Sequence, residues 1–545
     1  MDENQKFEQI INKKIDEFFR RNPSSGAYVG KQEYETIVES GTKEHLEGNL
    51  AFFSQWLDDL KQLDIKKLNQ KNRFILERLE YRHNLSVFRH KAYPLWKRIP
   101  NGLGTVQGII FIVFQRKGPT IQVAETIIAR LNQLERYVNE FQSRFDGSPI
   151  PKVWRDLALM QTQSTPQFLD FLISIFSNTP DIPEALQNEL VQTIEQVKPI
   201  IQTHIEWIQS LPVDDREFAW AIGAEKFDKL LSLRKLPWDR ETILKKGYEL
   251  LKSLTTRVKQ VAKEIDPTKT YEEVIEDLKS DHPPTFEMVL EHTRSEANRA
   301  NEFVKTRDIA TIPEDDKLII VETPPYLIPV IPFAAYSNPP YFDRKQPGIY
   351  IVTPTKDEEE LKRHFYTDIS NTMVHEAYPG HHLDFACNNA FLSYIQTFGS
   401  APETVEGWAH YCEEMMLQQG FHEDPKKAEL VILKDQIWRA VRIIVDIEMH
   451  CKQRTMEDAI KMLIEEARMD KKPAQAEVLR YTTAPAYQLS YLIGKLLIDD
   501  LQREVKEQMS DKFSLKFFHD TILQSGGMPY FLLKEYFEEK IKNYR

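Results

Sequence analysis

The segment HEAYPGHH, residues His375 to His382, has the residue types of a metal site. Imidazoles and carboxylates are the usual protein ligands of a catalytic Zn²⁺, which takes three of them and keeps one position open. On a regular helix, two histidines four residues apart share a face and bind one ion. Here the fourth residue after His375 is Pro379, so the histidines that could join it are His381 and His382.

Pro379 and Gly380 predict a distortion of the helix that carries these histidines. Proline has no N–H to donate to the His375 carbonyl, and its ring clashes with that carbonyl. On a regular helix His381 would point about 120° away from His375, whereas a turn widened as in a π-helix would bring the imidazoles together. We therefore expect one loosened helix with His375 and His381 as ligands and His382 as the alternative to His381.

A third ligand is expected from the helix predicted within SAPETVEGWAHYCEEMM. Glu406 follows His381 by 25 residues, which is enough for a helix, a loop and an antiparallel return. Glu406 is therefore the predicted ligand, with Glu403 and Glu413 as alternatives. Glu413 could instead orient a ligand histidine. His410 shares the helical face of Glu406 and could approach the metal or pack beside it.

Glu376 directly follows the first histidine and is the predicted general base. In the metalloprotease arrangement, a glutamate at this place takes a proton from the water that the metal activates. On a helix its side chain points roughly 100° away from that of His375, towards the open side of the ion. The pattern thus predicts two imidazoles and one carboxylate that hold Zn²⁺, and a second carboxylate that transfers protons.

Composition and charge restrict the possible partners. The 545-residue chain has a net charge of −12 and no long basic run, which argues against nucleic acid. Its three cysteines are too sparse for a disulfide framework and indicate a reducing compartment. The longest apolar run, IIFIVF, is far shorter than the roughly 20 residues that span a bilayer, and no signal peptide is recognisable. We expect a cytoplasmic protein without membrane partners, and the oligomeric state stays open.

Apolar spacing predicts a mainly α-helical protein with a small β-sheet. Apolar residues recur every three or four positions in stretches such as FEQIINKKIDEFF. Residues 311–355 contain nine prolines and the β-rich runs KLIIVET, YLIPVIPFAAYS and GIYIVTP, which predict a sheet near residues 317–354. The expected division is a helical half, 1–310, and a catalytic half, 311–545. GIYIVTP could be an edge strand that pairs with the substrate backbone, or a strand that merely completes the sheet.

HEAYPGHH followed by EGWAHYCEE resembles the domain-of-unknown-function 885 family, a set of mostly helical, zinc-peptidase-like proteins. EFFRRNPSSGAYVGKQEY, VDIEMH and PAYQLSYLIGK are similar to further segments of that family, so the resemblance covers nearly the whole chain. More distantly, the arrangement is similar to carboxypeptidase Taq, angiotensin-converting enzyme and the oligopeptidases. The resemblance implies a large helical zincin-like fold of the gluzincin type, a deep cleft in one compact unit, and Zn²⁺-dependent hydrolysis of short peptides.

The resemblance also bears on individual residues. Dipeptidyl peptidase III has a one-residue-longer HExxH motif that ends in Gly-His, and by this analogy His381 is favoured over His382. The resemblance places a tyrosine at Tyr491, in QLSYLIG, as the donor to the oxyanion that forms during peptide hydrolysis. The alternative for Tyr491 is a core position on an amphipathic helix.

Two further pairs of polar residues have two interpretations each. Asp446 and His450 are four residues apart and could line a cleft or form an ion pair between helices. Arg480, together with Tyr481, could bind a substrate carboxylate or cap the following turn.

The residues together favour a zinc metallopeptidase of the carboxypeptidase or oligopeptidase type. One alternative is a metal-dependent hydrolase of non-peptide amides or esters, because the same activated water attacks several carbonyl substrates. A second alternative is a catalytically inactive helical peptide-binding protein, which would hold no zinc, or a zinc ion with all four positions filled by protein.

Overall fold

The computed structural model describes residues 2–323, 328, 331, 334–343, 345–355 and 357–544, and this part of the chain is mostly helical. It divides into two compact units. The first contains the residues up to Trp220 and the described parts of 324–332 and 340–347, and the second contains the rest. Residues 221–310 thus belong with the C-terminal half, whereas the sequence pattern grouped them with the N-terminal half.

The first unit is a set of helices around an apolar core. Buried aliphatic and aromatic side chains of α5, α6, α7, α9 and α10 form this core, in which α6 packs against α10. β1 and β2 form a short parallel pair. The elements are α1 (Glu3–Arg21), α2 (Pro23–Tyr28), α3 (Lys43–Lys61), α4 (Gln70–Ala92), α5 (Gly104–Lys117), α6 (Ile121–Leu131), α7 (Leu134–Gln142), β1 (Ile150–Pro151), α8 (Lys152–Gln163), α9 (Thr165–Ser177), α10 (Glu184–Ser210) and β2 (Val213–Asp214).

The second unit is built around α19, which is buried along most of its length. An apolar helix needs cover on all sides, and α12 packs along α19 while α18 packs against α22. The helices are α11 (Ala224–Arg234), α12 (Arg240–Ile265), α13 (Tyr271–Ser280), α14 (Phe286–Thr306), α15 (Glu358–Leu361), α16 (Tyr366–Glu376), α17 (His381–Phe391), α18 (Pro402–Gln418), α19 (Pro425–His450), α20 (Met456–Glu465), α21 (Lys471–Tyr481), α22 (Ser490–Met509), α23 (Leu515–Leu523) and α24 (Tyr530–Asn543). Within the described residues, no helix combines the length and hydropathy of a membrane span.

A three-stranded sheet in the second unit lies where the sequence predicted one. β5 (Gly348–Val352) is its central strand, parallel to β3 (Leu318–Glu322) and antiparallel to β4 (Ala334–Ser337). Of the two interpretations of GIYIVTP, the structure shows the strand that completes the sheet and not the edge strand, because both sides of β5 are already hydrogen-bonded. All five residues of β5 are buried, which agrees with its apolar composition. The first part of the predicted strand YLIPVIPFAAYS falls largely outside the described residues, and its end forms β4.

Candidate metal centre

The segment HEAYPGHH joins two helices. α16 ends at Glu376 and α17 begins at His381. The Tyr378 N–H donates to the Met373 carbonyl, five residues back, so the last turn of α16 widens as in a π-helix before the helix stops. The peptide bond before Pro379 is cis. The prediction of one continuous, loosened helix was wrong, because at the proline the backbone leaves the helix and starts a new one.

Two contacts hold this turn in place. A Cβ atom on Gly380 would lie 1.8 Å from the His375 carbonyl oxygen, so only glycine fits there. Trp408, a buried residue of α18, donates its Nε1–H to the Pro379 carbonyl at 2.9 Å. The turn is therefore tied to the helix that carries Glu406. Trp408 was not among the residues predicted from the sequence, although it stands in the EGWA motif two residues after Glu406.

His375, His381 and Glu406 converge from three helices. One ligand atom of each lies within 4.8 Å of those of the other two. The rings of His375 and His381 are 4.9 Å apart at an angle of 86°, and His381 Nε2 lies 3.4 Å from Glu406 Oε2. Tetrahedral zinc ligands at about 2.0–2.1 Å from the metal lie about 3.3 Å from one another. The donor types and their spacing therefore fit Zn²⁺.

Burial and mutual charge set the ionisation of His381 and Glu406. Burial alone would raise the pKa of Glu406 and lower that of His381, but the contact between the two groups outweighs it. The pKa of Glu406 falls to about 2, and the pKa of His381 rises to about 9. Glu406 is therefore a carboxylate at neutral pH, which is the form that binds metals.

Glu413 contacts Nδ1, one of the two ring nitrogens of His375. Its Oε1 lies 2.7 Å from His375 Nδ1 and 3.1 Å from His410 Nδ1. Burial raises the pKa of Glu413, but His410 and His375 hold it well below its usual range. A carboxylate on Nδ1 leaves Nε2 of His375 for a metal. These three residues also have ligand atoms within 4.8 Å of one another, but Glu413 Oε1 is already shared by both imidazoles. The geometry therefore matches the orienting role of Glu413.

The alternative ligands His382 and Glu403 have other partners. His382 is fully buried, with Nδ1 2.9 Å from the Tyr336 hydroxyl and Nε2 2.8 Å from Asp316 Oδ1. Glu403 forms a buried ion pair with Arg234 at 2.6 Å. Neither belongs to a three-ligand group among the residues that the structure describes.

Glu376, the predicted general base, is the last residue of α16 and is partly exposed. Burial raises the pKa of Tyr350, and the charge of Glu376 raises it further. The same charge adds to the effect of Glu406 on the pKa of His381, so the carboxylate lies near the ligand group. Within the described part of the chain, no hydrogen bond or ion pair engages this carboxylate. It is therefore available to accept a proton.

Two tyrosines stand beside Glu406. The Tyr487 hydroxyl donates to Glu406 Oε1 at 2.6 Å. The ring of Tyr491, the predicted oxyanion donor, is 6.0 Å from the Tyr487 ring, and the guanidinium carbon of Arg442 lies 4.6 Å from its centre. Sequence reasoning missed Tyr487. The available signal was the pair of phenols four residues apart in PAYQLSY.

The remaining predicted residues lie in the same unit but outside the ligand group. Asp446 and His450 are fully buried, and His450 Nε2 lies 3.6 Å from Asp446 Oδ1 and 3.0 Å from the Tyr481 carbonyl. Burial lowers the pKa of His450 to about 4, so this imidazole is neutral and part of the interior, not of a cleft wall. The side chain of Arg480 is 42% exposed, and its Nη2 lies 2.8 Å from Glu477 Oε2.

The comparisons with known proteins concern nearly the whole chain. A structure from Colwellia psychrerythraea, named a "putative lipoprotein", has a TM-score of 0.85 and 20% identity over 100% of both chains. A second, from Shewanella oneidensis, named a "putative lipoprotein of unknown function", has a TM-score of 0.79 and 21% identity over 97% of this chain and 99% of that chain. These similarities show a common fold. Among curated proteins, none matches the chain.

The model of the family described as "Bacterial protein of unknown function (DUF885)" matches residues 23–536. This match spans almost the entire chain and includes both helices of the HEAYPGHH segment and the helix that carries Glu406. The chain therefore belongs to the DUF885 family, as its motifs predicted.

Proposed function

We propose that this protein is a zinc-dependent metallopeptidase that hydrolyses short peptides, of the carboxypeptidase or oligopeptidase type. The convergence of His375, His381 and Glu406 carries the proposal, because two imidazoles and a carboxylate are the ligand set of several catalytic zinc sites. The zincin-like, gluzincin-type interpretation of the fold, with its deep cleft, is part of the same proposal.

The side chains around the ligands have separate tasks in this proposal. Zn²⁺, when bound, would polarise the scissile carbonyl and lower the pKa of the attacking water. Glu376 takes the proton of that water and returns it to the leaving amine. Tyr491 donates a hydrogen bond to the oxyanion of the tetrahedral intermediate. Glu413 and Tyr487 hold two of the ligands in place through hydrogen bonds.

The test compares the unmodified chain with Glu376→Gln. Zinc content is measured by elemental analysis, and cleavage of a library of short peptides is measured by mass spectrometry. We expect Glu376→Gln to retain zinc and to lose roughly 10²- to 10⁴-fold in turnover, the contribution of a general base. Glu465→Gln, a change at an exposed glutamate of α20, is the control and should match the unmodified chain. Unaffected turnover in Glu376→Gln would remove this residue from the mechanism.

The same preparation separates the alternative functions. Hydrolysis of non-peptide amides or esters without hydrolysis of peptides would favour a different metal-dependent hydrolase. Peptide binding without zinc, or without any turnover, would favour an inactive binding protein.

The cellular location decides which peptides the protein meets. The cytoplasm stays our prediction, and it accords with the free thiols of Cys387, Cys412 and Cys451. Both similar structures bear the name of lipoproteins, a membrane-anchored class. Fractionation of cells that produce the protein tests this point, since recovery of a lipid-modified chain with the membranes would overturn the prediction.

A further inference from the structure

Two arginines share one carboxylate near the candidate metal centre. Glu477 Oε2 accepts hydrogen bonds from Arg442 Nη2 and Arg480 Nη2, both at 2.8 Å, and from the Tyr481 hydroxyl at 2.6 Å. The two guanidinium groups carry two positive charges, and Glu477 supplies one negative charge. The cluster therefore has an excess positive charge.

The two arginines differ in their freedom to bind a ligand. Arg442 is 5% exposed, and its guanidinium lies against Trp438 at 4.0 Å and Tyr491 at 4.6 Å. Arg480 is 42% exposed and contacts Glu477 through Nη2. Among the described residues, its Nε and Nη1 have no hydrogen-bond acceptor. Arg480 therefore presents unused donors in the planar arrangement that binds carboxylates in a bidentate manner.

A short chain of contacts leads from this cluster to the predicted ligands. Tyr487 donates to Glu406, and the Tyr491 ring lies next to Tyr487 on one side and to Arg442 on the other. Burial and the charge of Glu406 raise the pKa of Tyr491, whereas the charges of Arg442 and Arg480 lower it. Tyr491 therefore lies between Tyr487, which contacts the predicted ligand Glu406, and Arg442 of the arginine cluster.

We propose that Arg480 binds the free α-carboxylate of the peptide, so that the protein removes residues from the C-terminus of its substrates. This inference rests on the proposed peptidase function. A buried Tyr481 cannot reach the substrate, and its hydroxyl instead orients Glu477, which holds Arg480.

Binding is measured by calorimetry on the full-length, zinc-loaded Glu376→Gln protein, which does not consume the ligand. The ligands are an N-acetylated tetrapeptide as the free acid and the same peptide with a C-terminal amide. We expect the acid to bind roughly 10- to 100-fold more tightly, the effect of a hydrogen-bonded charge. Arg480→Gln should abolish the difference, and Arg480→Lys should restore part of it. Arg468→Gln, a change at a 53% exposed arginine paired with Glu272, should leave the difference intact.

The results distinguish this inference from the peptidase proposal. Equal affinity for acid and amide, no binding of the acid, or an unchanged preference in Arg480→Gln overturns the carboxylate site. Cleavage of amidated peptides at internal bonds overturns it as well and leaves the peptidase proposal standing. An acid preference that depends on Arg480, in a protein whose unmodified form cleaves no peptide, supports the carboxylate site and overturns the peptidase.

Discussion

The Tyr487 hydroxyl donates to one oxygen of Glu406, at 2.6 Å, and the other oxygen of Glu406 lies 3.4 Å from His381 Nε2. Each carboxylate oxygen therefore has a different neighbour. The phenol limits rotation of the carboxylate and determines which oxygen faces the histidine. Because Tyr487 precedes α22 while Glu406 belongs to α18, the packing of these two helices positions this predicted ligand.

Tyr487→Phe removes the hydrogen bond to Glu406 and keeps the ring. We expect zinc affinity, measured by competition with a chromogenic chelator, to fall by roughly 10-fold or more, the effect of losing a hydrogen bond to a charged group. Tyr491→Phe is the matched comparison and should keep its zinc affinity while kcat falls. The same zinc affinity in Tyr487→Phe and the unmodified chain would rule out the supporting role of this phenol.

Glu413→Gln replaces the carboxylate that accepts from His375 with a neutral amide. Loss of such a partner weakens metal binding by roughly 10- to 100-fold, because the imidazole becomes less basic and its orientation less defined. Chelator competition on Glu413→Gln and on the surface control Glu465→Gln provides the comparison. If both variants bind zinc equally well, His375 needs no support from Glu413.

His381→Ala and His382→Ala separate two adjacent histidines by function. His381→Ala should lose stoichiometric zinc, since only two predicted ligands would be left. His382→Ala should keep zinc but unfold more easily, because Asp316 and Tyr336 lose a buried partner, at a cost of about 1–3 kcal/mol. Zinc content and thermal unfolding are measured on both. Loss of zinc in His382→Ala with retention in His381→Ala would reverse the assignment.

Gly407→Ala tests the contact between α18 and α22. A Cβ atom there would lie 2.4 Å from the backbone carbon of Gly494, so the helices must separate. Such overpacking lowers the free energy of unfolding by about 1–3 kcal/mol. The separation of the two helices also moves Glu406 away from Tyr487. The temperature of thermal unfolding and the affinity for zinc are both expected to decrease. Gly108→Ala, in α5 with open space around it, is the control and should be neutral or stabilising.

Glu477→Gln tests the charge balance of the arginine cluster. Burial raises the pKa of Glu477, but Arg442 and Arg480 lower it more, to about 2 from an ordinary value of 4.5. Because the pKa is lower in the folded state, the charge stabilises the protein above about pH 4.5, and this contribution is lost as the pH falls towards 2. At pH 7, Glu477→Gln should therefore have a free energy of unfolding about 1–3 kcal/mol lower than that of the unmodified chain, and it should unfold at a lower temperature. The difference should shrink below pH 4.5. A constant difference between pH 7 and pH 3 would contradict this account.

Local patterns were sufficient to predict the mainly helical fold, the sheet near residues 317–354 and the family, because periodicity and short motifs depend on neighbouring residues alone. They also named His375, His381 and Glu406, which the structure brings within 4.8 Å of one another. Proline chemistry correctly indicated a distortion around Pro379, but it predicted a widened turn within one helix, whereas one helix ends at Glu376 and another begins at His381.

Other features depended on segments that are distant in the chain. His381 and His382 are adjacent and chemically identical, and they differ because burial of apolar helix faces brings Glu406 to one and Asp316 to the other. The central place of β5 follows likewise from the arrival of β3 and β4 on its two sides. A pattern of residues along one segment contains no information on which distant side chain will pack against it, so these partners became visible only in the folded chain.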